Sequence, residues 1–98
     1  MVHIATAVIV ITLGFYFSVS VAEWTVLIFS MGFVLSAEAF NSAIEIDIDL
    51  TSPDYHPYAR DTKDVAAGAV LIAFITALAI YAIVFGSRIV ALIYNSAM

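Results

Sequence analysis

Polar and apolar residues do not alternate along this chain; the apolar ones fall into three long runs. The first covers about Val2 to Val21 and the second about Trp24 to Ala43. The third begins near Val65 and continues to about Tyr94, with 65–85 as its membrane-crossing part. A helix needs roughly 20 mainly apolar residues to cross the hydrocarbon of a bilayer, and each run has that length. Backbone groups in lipid must find their hydrogen bonds within the segment, so such runs are expected as helices. The ten-residue alternation of a membrane barrel is missing. The pattern predicts an all-α integral membrane protein with three transmembrane helices, in one domain over residues 1–98. The opening residues, MVHIATAVIV, carry no positive n-region and no cleavage signature. They are read as the start of a retained span.

Two breaks separate the runs. The segment SVSVAE predicts a tight turn, with Glu23 at the positive end of the second helix dipole and Trp24 at the membrane interface. The segment LTSPDYHPYARDT holds two prolines and small polar residues, which end one helix and precede the next. Arg60 and Lys63 lie on this side and Arg88 near the far end of the third run, so the positive-inside rule puts the second link in the cytoplasm.

Composition strengthens the membrane reading. Apolar residues make up 64% of the 98 and charged residues 11%, with a mean hydropathy of +1.11. So short a chain buries little core by itself, and a homo-oligomer is expected. The absence of cysteine excludes a disulfide framework and a thiolate metal site. A net charge of −5 with no basic patch argues against nucleic acid as a partner.

One stretch breaks the apolar rule. SAEAFNSAIEIDIDL, residues 36–50, places four carboxylates and an amide on the second helix. Glu38, Asn41, Glu45 and Asp49 are spaced 3, 4 and 4, which sets them in a stripe roughly 80° wide. Asp47 falls on the opposite side and is read as solvated. Glu38 is the deepest of the ridge and Asp49 the nearest to water. An ionisable group at membrane depth is costly and points to function. The plainer alternative is an oligomer contact, with the ridge paired to Lys63 or Arg60 of a neighbouring copy. A proton path needs one buried carboxylate rather than a ridge leading to a lysine. Phosphoryl transfer fits the set better. Magnesium takes hard oxygen ligands, a lysine offsets phosphate charge, and a carboxylate accepts the proton of an attacking hydroxyl. The phosphate loop and kinase signatures of soluble enzymes are absent. Residue chemistry thus leaves phosphoryl transfer as one reading of a membrane acid cluster with a cationic partner.

Three motifs sharpen it: E-x-x-N-S-A-I-E-x-x-x-D-L from Glu38 to Leu50, D-Y-H-P from Asp54 to Pro57, and K-D-x-A-A-G-A-V from Lys63 to Val70. In this order and spacing the chain resembles the bacterial membrane-integral diacylglycerol and undecaprenol kinases, from His3 onward. The resemblance implies a homotrimer in the bacterial cytoplasmic (inner) membrane, with sites shared between subunits on the cytoplasmic side. It implies transfer of the γ-phosphate of magnesium-bound ATP to a lipid hydroxyl, of diacylglycerol or of undecaprenol. By position Glu38 matches the family's catalytic base and Glu45 its magnesium and ATP ligand. Lys63 and Asp64 match nucleotide contacts, with Lys63 on the phosphates. Asp54, Tyr55 and His56 match the loop that touches the nucleotide, and Asn41 and Asp49 match polar positions lining the site. The family's amino-terminal amphipathic helix, whose Glu before an Arg-Asn pair helps hold magnesium, has no counterpart in these residues. His3 matches the histidine that follows it. A non-catalytic packing subunit and an ion-conducting ring subunit are the competing functional classes.

Some residues are read more plainly. His3 is taken as a helix-end residue at the interface, Arg88 as snorkelling at the outer interface, and His56 as a site residue rather than a turn residue. Ala66, Ala69, Ala73 and Ala77 form a small-residue stripe for helix packing. Phe15, Phe17, Phe29, Phe33 and Phe74 are taken as lipid-facing or packing residues.

Overall fold

The computed structural model describes residues 2–97. Among them the chain is all-helical: α1 (Val2–Tyr16), α2 (Val21–Thr51) and α3 (Pro57–Ala97). The elements follow the expected order, but their lengths differ from the apolar runs. α1 has 15 residues, or roughly 22 Å at 1.5 Å per residue, less than the hydrocarbon thickness of about 30 Å. α2 and α3, with 31 and 41 residues, are long and apolar enough to cross. By length and composition two helices qualify as spans, where the apolar runs predicted three.

The end of α1 has a local cause. Ser18 adopts a left-handed φ of 52°. The Val19 N–H then bonds the Gly14 carbonyl at 3.1 Å and the Ser18 N–H bonds the Phe15 carbonyl at 3.2 Å. This is the Schellman closure, with Ser in the position that usually takes Gly. After the four linking residues 17–20 the chain re-enters a helix. The Ser20 hydroxyl accepts the Glu23 N–H at 3.1 Å, and the Glu23 carboxylate accepts the Ser20 N–H at 2.9 Å. That reciprocal capping box fixes the start of α2. The turn also demands Gly14. An added Cβ there would lie 2.8 Å from Trp24 Cζ2 and nearer still to its Cη2, so the indole packs directly on the α1 backbone.

The second link is set by proline. α2 runs to Thr51, α3 begins at Pro57, and residues 52–56 form the connection. Pro57 occupies the first helical position, where its missing N–H is not needed. His56 precedes it, and its Nδ1 accepts the Tyr58 N–H at 3.2 Å. Both helices therefore continue past the apolar stretches, and residues 44–64 form a polar helical hairpin tip.

α2 and α3 pack along much of their length, and α1 lies against the half of α2 near the first turn. One cluster joins Val10, Val19, Leu27, Val84 and Phe85, with Leu27 fully buried. A second, nearer the polar tip, joins Val34 to Ala73 and Ala77. Small side chains let α2 and α3 approach there. Ala66, Ala73 and Ala77 are buried as the stripe predicted, but Ala69 is exposed. Phe17 and Phe74 pack against the clusters, whereas Phe15, Phe29 and Phe33 point outward. Arg88 does not snorkel freely. Its guanidinium holds Glu23, with Nε 3.3 Å from Oε2 and a second, closer contact from Nη2 to Oε1. The pair ties the start of α2 to α3.

Candidate functional site

The polar ridge of α2 meets α1 at its deep end and α3 at its outer end. Glu38 is half-buried, and its Oε1 lies 2.6 Å from Nε2 of His3 on α1. His3 is thus brought to the ridge rather than left at a free interface. The two side chains open onto a groove of about 430 Å³ whose other walls are Ala67, Val70, Leu71 and Phe74. Its lining is apolar apart from His3 and Glu38.

One turn outward, Asn41 has a buried Oδ1 with no hydrogen-bond partner among the described residues. Glu45 follows one turn later and is exposed. Asp49 then accepts a 2.5 Å hydrogen bond from Lys63 Nζ across the hairpin. The ridge therefore pairs with the lysine of its own chain; Arg60 instead lies 3.7 Å from Asp61, a solvent-exposed contact of little energetic consequence. The hydrogen bond to Asp49, and then the fields of Asp49 and Glu45, raise the Lys63 ammonium above the ordinary lysine range, against partial desolvation. The lysine stays charged at any physiological pH.

Around Lys63 the hairpin tip forms a hollow of about 250 Å³ with Asp49, Ser52, Pro53, Asp54, Tyr55 and Arg60 in its walls. Asp54 and Tyr55 are therefore gathered beside Lys63. His56 is exposed, and its Nδ1 accepts the Tyr58 N–H at the start of α3. Asp64 is exposed and does not line the hollow. Asp47 is exposed, as its position on the opposite side predicts.

The donor set suits a hard cation in part. Glu45 and the unpartnered Asn41 Oδ1 are oxygen donors four residues apart on one face. No three His, Cys, Asp or Glu side chains converge on a metal position among the described residues. Magnesium commonly keeps several waters and takes one or two carboxylates with substrate phosphates, so a sparse protein set is compatible with it.

What sequence reasoning missed is His3. Its signals were a histidine at the start of an apolar run and a match to a histidine of the family, and neither names a partner 35 residues away.

Comparison with known proteins gives the context. The chain is 40% identical over 70 residues to an undecaprenol kinase of Bacillus subtilis, covering 71% of this chain and 57% of that one. It is 33% identical over 89 residues to a diacylglycerol kinase of Helicobacter pylori strain J99, covering 91% and 66%. A diacylglycerol kinase of Synechocystis is 39% identical over 77 residues, covering 78% and 44%. The chain thus spans about half to two thirds of the length of these relatives. No solved structure matches it significantly. The family model described as prokaryotic diacylglycerol kinase matches residues 1–85. With that match over most of its length, the chain belongs to the prokaryotic diacylglycerol kinase family.

Proposed function

We propose that this protein is a lipid kinase that moves the γ-phosphate of ATP to a lipid hydroxyl at the cytoplasmic face of the bacterial inner membrane. The observation that carries the reading is the division of one helix face. Glu38 sits beside an apolar groove. Seven residues on, about 10 Å along the axis, begins the charged group of Glu45, Asp49 and Lys63. A lipid and a nucleotide need those two environments side by side. The family and its named relatives support the same activity.

In this mechanism the acceptor lipid lies along the groove and brings its hydroxyl to Glu38. The carboxylate takes the hydroxyl proton as the oxygen attacks phosphorus in line. Lys63 offsets the negative charge spread over the transferred phosphate. Asp49 holds the lysine in place until nucleotide arrives, and Asp54 and Tyr55 form the wall against which the nucleotide lies. Asp64 and His56 are nucleotide contacts by family position alone. Magnesium, when bound, supplies further charge neutralisation on the phosphates; Glu45 would hold it, with Asn41 as the neighbouring oxygen donor. Glu45 is exposed, and we assign the completion of the site to further copies of the chain in a homotrimer. Both undecaprenol and diacylglycerol kinases are among the relatives, and the apolar groove accepts the chain of either lipid.

The test is transfer of label from γ-labelled ATP to each lipid, offered separately to membranes holding this chain. Labelled lipid that disappears with Glu38→Gln supports the reading. Transfer that survives Glu38→Gln removes the base assignment. No transfer to any lipid removes the kinase reading.

A further inference from the structure

The contact between His3 and Glu38 joins α1 to the deep end of the ridge, and neither the family match nor the relatives' names give His3 a role. We propose that His3 is a positioning residue for the phosphoryl transfer: its Nε2–H donates to Oε1 of Glu38 and so fixes which carboxylate oxygen faces the acceptor hydroxyl. The inference rests on the reading of Glu38 as the base.

Three observations carry it. Nε2 of His3 and Oε1 of Glu38 lie 2.6 Å apart, close enough for the imidazole to act directly on that oxygen. The imidazole is itself oriented, standing edge-on to Phe74 at a 6.4 Å ring separation and 88°. Both side chains line the same apolar groove, with relative side-chain exposures of 24% for His3 and 39% for Glu38. In such surroundings a carboxylate has few other partners to fix its rotation. With Oε1 engaged by His3, Oε2 is the oxygen left to accept a proton from a lipid in the groove. His3 does not touch the reacting atoms. It removes a rotational freedom that Glu38 would otherwise lose only on reaching the transition state, and misplacement on the ångström scale is enough to slow an enzyme.

The test compares His3→Phe and His3→Gln with the parent, all in membranes, with kcat and the KM for ATP measured separately. Phe keeps the ring against Phe74 but cannot donate; Gln can donate without the ring. The expected result is a fall in kcat of about tenfold or more for His3→Phe, an unchanged KM for ATP, and recovery to within about threefold of the parent in His3→Gln. Full activity in His3→Phe overturns the proposal, and so does equal loss in both variants, which marks a role in shape. A second readout does not depend on turnover. The imidazole Nε2–H resonance of the ¹⁵N-labelled protein is expected to move in Glu38→Gln, and an unmoved resonance overturns the pairing. If the parent transfers no phosphate, the kinase reading fails while the resonance still decides whether the pair exists.

Discussion

At the residue scale, the roles proposed for Glu38 and Lys63 differ, and kinetics separates them. Glu38→Gln keeps the size and polarity of the side chain but cannot take a proton. The expected outcome is a loss of kcat of about 10²–10⁴-fold, the usual range for a general base, with the KM for ATP nearly unchanged. If Lys63 acts on the phosphates as proposed, Lys63→Met is expected to lower kcat/KM for ATP by about 10²-fold or more. A Lys63→Met chain with parental kinetics for ATP would leave the lysine as a structural partner of Asp49. The spacing of Glu38, Asn41, Glu45 and Asp49 was legible because helical periodicity reports which residues share a face. It does not report which other helix that face meets. The Lys63–Asp49 bond, the His3–Glu38 contact and the Glu23–Arg88 pair all cross between helices. For that reason the Arg88–Glu23 pair and the His3–Glu38 contact are not legible from the periodicity of any one helix.

At the element scale, the first turn concentrates the specific interactions. Ser20→Ala removes the hydroxyl that accepts the Glu23 N–H and is expected to cost about 1 kcal/mol, read as a lower unfolding midpoint in detergent. Glu23 lies just before the apolar stretch of α2. The Arg88 guanidinium, and then the Ser20 backbone N–H, lower its pKa from 4.5 to about 2. A folded-state value below the unfolded one means that this stabilisation is complete above about 4.5 and vanishes as the pH falls through about 2. Glu23→Gln preserves the capping geometry and removes the charge. Its unfolding temperature should fall below the parent's at pH 7, and the gap should close as the pH approaches 2. A gap that stays constant with pH would contradict the pairing. Helix identities were legible from the apolar runs, but helix ends were not. Polarity marks where the bilayer stops, whereas Ser18 and the prolines mark where the helices stop. That difference shortens α1 and extends α2 and α3 into the polar tip.

At the scale of the whole molecule, the distribution of exposed apolar residues governs the reading. Ile83 is 71% exposed, Phe29 71% and Phe40 72%, among many others along α2 and α3. A soluble monomer rarely shows so extended an apolar surface, and lipid or further copies of the chain suit it. The polar tip then lies outside the hydrocarbon. The chain has no cysteine, so Asp54→Cys creates a single reporter on that tip. A membrane-impermeant maleimide is expected to label it in inside-out vesicles and not in intact cells. Labelling of intact cells instead would reverse the assigned orientation.

On the proposed mechanism, one helix face joins a lipid hydroxyl to a nucleotide phosphate. The most direct measurement is transfer from γ-labelled ATP to undecaprenol and to diacylglycerol, in membranes carrying the parent chain or Glu38→Gln. Labelled lipid is expected with the parent for at least one acceptor, with a loss of about 10²-fold or more in the Glu38→Gln membranes. Labelled lipid at the parental rate from Glu38→Gln, or none from a parent chain shown to be inserted and assembled, would contradict it.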